Sequence, residues 1–477
     1  MPEHLLALDV GTTTIRAALF TPRGDLRRIA RAPARSRSPA PGLSEQDALE
    51  VWRSAQKVIA EALAAADLKP ADVAAIGITS QRTSTLVWDR VSGAPLSPLV
   101  VWSDLRGAGR AGELRAEGFF LAPQQAAAKL EAVLAGVENA SALRAQGRLA
   151  WGAIDSFLIW KLSGGAHVTD RSQAWPTGYL DPSTMDWNRA LIDRQGLDEA
   201  LFPHLVDTWG PIAETTPAAF GARVQITADV ADQQSALIAH GDASGVAKMT
   251  YGTSATLDVS TGELFLYKSP TAPPFVVSFV DGAARFCIEA MVISAGSALD
   301  WLRGACNLGT VARFEALAAS VPDAAGAAFL PALQGLGAPH GDAARQGMLT
   351  GLSPSVSRAH IAHAALQGVA FRAREAFDHV YAVTDLIPPP ALGADGGLAA
   401  DNVFLQIQAD ILGRPVRRHA ILEATACGAA ICAGRGAGLL SASDVRGFTR
   451  YGRTFEPRLS ADEAQSRLDR WRAQVYG

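Results

Sequence analysis

Cysteine is scarce in this chain of 477 residues. Cys287, Cys306, Cys427 and Cys432 have neither the paired spacing of a metal site nor the framework of a small secreted scaffold. Cys427 and Cys432 share one small-residue stretch that reads as a helix, where buried thiols are expected. A charge of one sign is missing as well. The formal net charge is -4 at pH 7, the basic residues are nearly all arginine and scattered, and no run of like charge marks a tail, so nucleic acid is not an expected partner. No basic region followed by an apolar core opens the sequence, and no unbroken apolar run reaches bilayer length. A soluble cytoplasmic protein without a membrane partner is the expectation. Gly-Lys-Ser/Thr is absent, which excludes a P-loop, and Gly335-Leu336-Gly337 lacks the rest of a dinucleotide fingerprint.

What is present suits two sizeable cores, since 48% of the residues are hydrophobic. The chain is organised around Leu5 to Phe20, two apolar strands joined by the polar turn Gly11-Thr12-Thr13. Gly11 is expected to take a positive φ there. Backbone N–H groups of such a turn, three threonine hydroxyls and Arg16 suit phosphate oxygens, and Asp9 at the end of the first strand suits a hydrated Mg²⁺. An ordinary hairpin is the alternative reading.

Further along, Ser44 and Asp47 read as a capping box before an amphipathic helix running to Leu63. Val73 to Thr79 reads as a strand ending in Ser80-Gln81-Arg82-Thr83, and residues 111 to 163 are helical in pattern. Asp229 to Leu237 reads as a polar turn entering a helix. Lys248 to Val259 repeats the strand, Gly-Thr turn, strand pattern of the opening hairpin, which suggests two similar α/β domains with a cleft between them. A long helix is expected from near His360, and Gly393-Ala394-Asp395-Gly396-Gly397 runs into the helix Asp401 to Leu412.

Six ordered stretches, Asp9-Val10-Gly11-Thr12-Thr13, Ser80-Gln81-Arg82, Val101-Trp102-Ser103-Asp104, Ala231-Asp232-Gln233-Gln234, Tyr251-Gly252-Thr253 and Asp395-Gly396-Gly397, resemble the FGGY carbohydrate kinases. The resemblance is collinear over nearly the whole chain, and Pro331 to Gly351 is most similar to the glycerol-kinase branch. It implies an α/β fold of two ribonuclease-H-like domains, of the actin, Hsp70 and sugar-kinase type, with an interdomain catalytic cleft. Residues 1–245 would bind the sugar or polyol and carry the base; residues 246–477 would bind ATP. The resemblance implies ATP and Mg²⁺ as cofactors and a small-molecule sugar or polyol as partner, and it allows a homodimer.

Residue by residue, it implies Asp232 as general base and Asp9 as holder of Mg²⁺. Thr12, Thr13 and Arg16 would meet the phosphates from one side, and Gly252 and Thr253 from the other. Gly296 and Asp300 match nucleotide-contacting positions, as do Gly396, Gly397 and Asp401. Arg82, Thr83, Trp102, Asp104 and Gln233 match substrate positions, with Arg82 as donor and Trp102 as an apolar wall. Plainer readings stand beside these: Asp232 as a helix cap, Asp9 closing a strand, Trp102 as packing, and His360 and His363 as a helix start.

Three departures bear on the substrate. Thr83 stands where glycerol kinases carry glutamate, Thr256 where they carry a phenylalanine wall, and Phe119 to Gln125 lacks their tyrosine contact. A site missing a hydroxyl partner discriminates sharply, so a tetritol, pentitol or ketose is expected. A xylulokinase-like pentulose kinase and glycerol kinase proper are the alternatives within the class; a nucleotide-switched protein is the alternative outside it.

Overall fold

The structure, a computed structural model, describes residues 3–477 of the chain. The chain forms two compact units, and neither is a single stretch of sequence. The first comprises the residues up to Ala239 with Phe275–Arg285 and Thr425–Phe448; the second comprises His240–Pro274, Phe286–Ala424 and Thr449–Gly477.

In the first unit, strands β1 (His4–Val10), β2 (Thr14–Phe20), β3 (Leu26–Pro33), β4 (Val73–Ser80), β5 (Trp209–Glu214) and β6 (Gln225–Ala231) form one sheet in the order β5-β6-β4-β1-β2-β3. β1 pairs antiparallel with β2 and parallel with β4, and β4 runs parallel to β6. Leu5, Leu6, Leu8 and Val10 are buried without remainder, as a strand covered on both faces requires. Helix α1 (Ala48–Ala65) buries the stripe Val51, Trp52, Ala55, Val58, Ile59 and Ala62 against β2 and β3. Its cap is Asp47 alone, which accepts from the N–H groups of Leu49 and Glu50; Ser44, expected in a capping box, instead donates its N–H to Asp104. The small-residue helix Ala424–Gly436 closes the unit: Thr227 Oγ1 donates to its Ala433 carbonyl at 2.8 Å, and Ser235 Oγ to Thr425 at 2.6 Å. Both of its cysteines are buried thiols outside any disulfide.

Residues 111–163 are not the continuous helical stretch expected. Short helices at Ala108–Ala116, Ala126–Ala135 and Ala140–Ala145 give way to a strand, Leu149–Gly152, before the helix Ile154–Ser163. That strand pairs with Leu86–Asp89, so a partner some sixty residues earlier overrides the local pattern. The polar turn expected around Asp229 is absent too, because β6 runs through Ala231 and a helix begins directly at Asp232.

The second unit repeats the plan. Strands β7 (Ala247–Tyr251), β8 (Ala255–Gly262), β9 (Ala283–Val292), β10 (Leu392–Asp395), β11 (Val416–His419) and β12 (Tyr451–Phe455) lie in the order β9-β8-β7-β10-β11-β12. In each sheet an antiparallel meander of three strands lies beside two strands parallel to the first. The long helix Arg358–Thr384 packs the second core, starting at Ser357 with His360 Nδ1 against the Ser357 N–H. Among the described residues no helix is long and apolar enough to cross a membrane.

Candidate active site

Three neighbouring parallel strands end at one edge of the first sheet, where ligands of open α/β sheets are met. β1 ends beside Asp9, β4 leads into Gln81-Arg82-Thr83, and β6 leads into Asp232; Val10 and Ala231 are both register partners of Ser80. The opening turn is held by the Gly11 N–H, which donates to the Thr14 carbonyl at 3.1 Å. Gly11 does not take the positive φ expected of it. Glycine relieves crowding there, since a Cβ would lie a tight 3.2 Å from that carbonyl oxygen.

Asp9 faces Arg16 directly across the hairpin, and Arg16 Nη1 meets Asp9 Oδ2 at 3.1 Å. The Thr12 hydroxyl is engaged twice, donating to Gln81 Oε1 at 3.0 Å and accepting from Trp102 Nε1 at 2.9 Å. Gln81 Nε2 donates to Gln46 Oε1 and Gln46 Nε2 to the Thr12 carbonyl, which closes a polar ring around the turn. Trp102, expected as an apolar wall, is thus also a donor that fixes the hairpin. Thr13 is exposed.

Arg82 and Asp232 converge. Arg82 Nε lies 3.5 Å from Asp232 Oδ1, and the carboxylate, its side chain a quarter exposed, also accepts from the Gln233 N–H. Arg82 Nη1 reaches Gln234 Oε1 at 3.5 Å, and its guanidinium carbon sits 4.6 Å from the centre of the Phe275 ring. Thr83 is held at φ 57 with its hydroxyl on the Gln124 carbonyl at 3.1 Å. Gln233 follows Asp232 on the helix and is half-buried.

Asp104 does not join this group. It is completely buried and accepts four N–H donors, from Ser44, from the Arg106 backbone and twice from the Arg106 guanidinium. Burial pushes its carboxyl up, but these hydrogen bonds and the Arg106 charge outweigh that and hold it below the ordinary range. A carboxylate so fully satisfied pins a loop and has no oxygen left for a substrate.

In the second unit, three exposed turns meet. Gly296 opens the helix Gly296–Ala305 so close to the Gly-Thr turn that a Cβ would lie 2.5 Å from the Gly252 carbonyl oxygen. The N–H groups of Gly296 and Ser297 donate to the Gly252 and Thr253 carbonyls. On the other side Gly396, at φ 86, leaves no room for a Cβ beside the Tyr251 carbonyl, while Gly397 borders open space. Asp300 lies one turn into the helix, exposed and paired with Arg303 at 2.9 Å. Asp401 caps the helix Asn402–Leu412 through Oδ1, and its buried Oδ2 has no hydrogen-bond partner among the described residues. Burial raises its carboxyl above the ordinary value.

Beneath these turns runs a buried polar chain. His240 Nε2 meets Asp395 Oδ2 at 2.9 Å, Thr250 Oγ1 donates to Asp395 Oδ1 at 2.8 Å, and Lys248 Nζ donates to Thr250 Oγ1 at 2.7 Å while pairing with Asp258 at 2.7 Å.

Residues 4–239 match the N-terminal domain and residues 247–437 the C-terminal domain of the FGGY family of carbohydrate kinases. A glycerol kinase of Thermus brockianus is 38% identical over 99% of this chain and 98% of its own, and one of Acinetobacter baylyi is 36% identical over 98% and 97%. The chain belongs to the FGGY family of carbohydrate kinases. Glycerol kinase of Plasmodium falciparum, solved with ADP, shares the fold at a TM-score of 0.89 with 22% identity, covering 98% of this chain and 97% of that one. Xylulose kinase from Rhodospirillum rubrum has a TM-score of 0.80 at 26% identity and covers 98% of each chain. The FGGY kinase has the fold expected, built from two ribonuclease-H-like domains, and it is a phosphotransferase with an alcohol group as acceptor.

Within this kinase several neighbours of the candidate residues escape sequence reasoning. Phe275, on the strand Pro274–Val280, supplies an aromatic face to Arg82, although position 256 carries threonine. Gln46 is equally hidden. No local signal marks them, because each acts through a partner far away in sequence.

Proposed function

We propose that this kinase transfers the γ-phosphoryl group of ATP to a hydroxyl of a polyol or ketose longer than glycerol, in the cytoplasm, with Asp232 as general base. The observation that carries this reading is the pairing of a partly exposed Asp232 with Arg82 at the ends of adjacent parallel strands. Phosphoryl transfer leaves a protein little covalent chemistry; it must hold the hydroxyl in line, take its proton and balance charge. Asp232 accepts the proton as the hydroxyl oxygen attacks phosphorus. Arg82, stacked on Phe275, donates from the edge of its guanidinium to substrate oxygens, and Trp102 and Gln233 line the same end of the sheet.

The nucleotide is assigned to the turns of the second unit. The exposed Gly252-Thr253 turn, which the helix opened by Gly296 holds in place through its first N–H groups, suits phosphate oxygens. Gly396 and Gly397 admit the adenosine without side-chain hindrance, with Asp300 and Asp401 at its margins; Asp401 Oδ2 is an acceptor in need of a donor. Thr12, through its backbone N–H since its hydroxyl is occupied, is assigned to the phosphates with Thr13 and Arg16 through the first hairpin. No group of three or more metal-ligating side chains occurs among the described residues. A lone carboxylate such as Asp9 nevertheless fits Mg²⁺, which keeps its waters and takes phosphate oxygens as further ligands. Asp9 would hold the ion, which would neutralise phosphate charge, and Arg16 balances the same carboxylate.

The departure at Thr83, where a charged acceptor is missing, supports a substrate other than glycerol; the glycerol kinases among its relatives support glycerol itself as the second reading. An ADP-release assay over C3 to C6 polyols and ketoses decides between them. Highest kcat/KM on a C4 to C6 compound is expected, and highest kcat/KM on glycerol would reject the longer substrate.

A further inference from the structure

Beneath the Arg82–Asp232 pair lies a segment to which neither the motifs nor the chemistry above assign a role. Asp170, Ser172 and Gln173 are completely buried, and their polar atoms converge on the two strand ends that carry the pair. Ser172 Oγ accepts the Ala231 N–H at 2.8 Å and donates to Asp170 Oδ1 at 2.8 Å. Ala231 is the residue immediately before Asp232. Gln173 Nε2 donates to Ser80 Oγ at 3.0 Å and to the Val230 carbonyl at 3.3 Å, so one amide bridges the ends of β4 and β6 two residues before Arg82 and Asp232.

The bridge is itself anchored. Asp170 Oδ1 also accepts the Gln173 N–H at 2.9 Å, Asp170 Oδ2 accepts the Ser172 N–H at 3.0 Å and Thr208 Oγ1 at 2.7 Å, and the Asp170 N–H donates to Asp229 Oδ2 at 3.0 Å. A cap for the short helix Arg171–Ala174 needs only the bonds from the Ser172 and Gln173 N–H groups. The bonds to Ser80, Val230 and Ala231 are left over, and all three land on the strand ends.

We propose that Ser172 and Gln173 are positioning residues that fix the separation of Asp232 from Arg82. The proposal rests on the reading of Asp232 as base and Arg82 as substrate ligand. The two groups stand at 3.5 Å, a distance that depends on how the ends of β4 and β6 are held together. Since misplacement by about 1 Å can cost on the order of 100-fold in rate, a hydrogen bond to the backbone N–H just before the base is a direct control on turnover.

The test is steady-state kinetics and thermal melting of Ser172→Ala, Ser172→Thr, Gln173→Met and Asp232→Asn in the full-length enzyme. Ser172→Ala and Gln173→Met should each lower kcat by about 10- to 100-fold while KM for ATP stays within about two-fold, because the bonds they lose go to Ser80, Val230 and Ala231 and to no group assigned to the nucleotide. Ser172→Thr keeps the hydroxyl and should recover most of kcat. Unchanged kcat in Gln173→Met, or a fall in kcat that tracks melting temperature and is accompanied by a weaker KM for ATP, would overturn the clamp. Should Ser172→Ala not fold, the Gln173→Met result decides alone. Near-normal turnover in Asp232→Asn would instead sink the base assignment on which the clamp depends.

Discussion

Arg82 and Asp232 are 150 residues apart in sequence, one in a turn and the other opening a helix, yet Ser80 and Ala231, just before them, are register partners on adjacent parallel strands. The sheet brings cation and carboxylate to 3.5 Å, and Phe275 closes on the cation's other face. On the roles proposed for them, substrate recognition and proton removal would be two ends of this one pairing.

Asp232→Asn tests the base. The amide keeps the shape and loses the ability to accept a proton, so kcat should fall by about 10²- to 10⁴-fold while nucleotide affinity is retained. Calorimetric titration with ATP alongside single-turnover rates checks both halves.

Phe275→Ala tests the aromatic face. Loss of a partly buried cation–π contact costs about 1–2 kcal/mol, or roughly 5- to 30-fold in KM for the polyol or ketose, with KM for ATP unchanged. An equal change in both KM values would mean that the ring supports the fold and not the substrate.

Thr83→Glu tests specificity. Thr83 already sits at a positive φ and is bonded to the Gln124 carbonyl, so the residue is tied to the 119–125 loop whose tyrosine contact is missing. A carboxylate there restores an acceptor for small-polyol hydroxyls, and the ratio of kcat/KM on glycerol to that on the preferred C4 to C6 compound should rise about tenfold or more. An unchanged ratio would remove position 83 from the specificity argument.

Both Gly-Thr hairpins were legible because a turn between alternating apolar residues has few other solutions, and so was the helix that Asp232 opens. The side-chain partners were not. Whether Asp104 meets a substrate depends on Arg106 folding back onto it and on Ser44, sixty residues earlier, donating to it. Thr12 reads as a free hydroxyl until Gln81 and Trp102 occupy it. The strand Leu149–Gly152 hides in a helical pattern because pairing with Leu86–Asp89, not local propensity, makes it a strand. What sequence omits in each case is a long-range partner.

Lys248 and Asp258 form a buried ion pair below the second Gly-Thr turn, with no exposed side-chain surface on either. Lys248→Met leaves the carboxylate buried without its cation, a loss of about 3–5 kcal/mol. A sharp fall in melting temperature is expected, with partial recovery in Lys248→Met/Asp258→Leu, which removes both charges. A single variant as stable as the parent would show that the pair is dispensable.

Asp229 offers a test of sign. Burial first, and then the negative charges of Asp155 and Asp170, hold its carboxyl well above the ordinary value, so the native state keeps a proton that the unfolded chain has already released. Its contribution to stability is therefore full below the unfolded value near 3.8 and is lost as pH rises from there towards the native one. Asp229→Asn carries a permanently neutral group of the same shape; its carbonyl can accept the Asp170 N–H and its amide can face Asp155. The variant should gain on the parent as pH rises, by at most about 1.4 kcal/mol per pH unit between roughly pH 4 and the native titration. The difference in melting temperature between variant and parent, followed from pH 5 to pH 8, cancels the shared groups outside the Asp155, Asp170 and Asp229 cluster. It should grow with pH until the native group titrates; a difference independent of pH over the whole range would mean that Asp229 is ionised in the folded protein throughout.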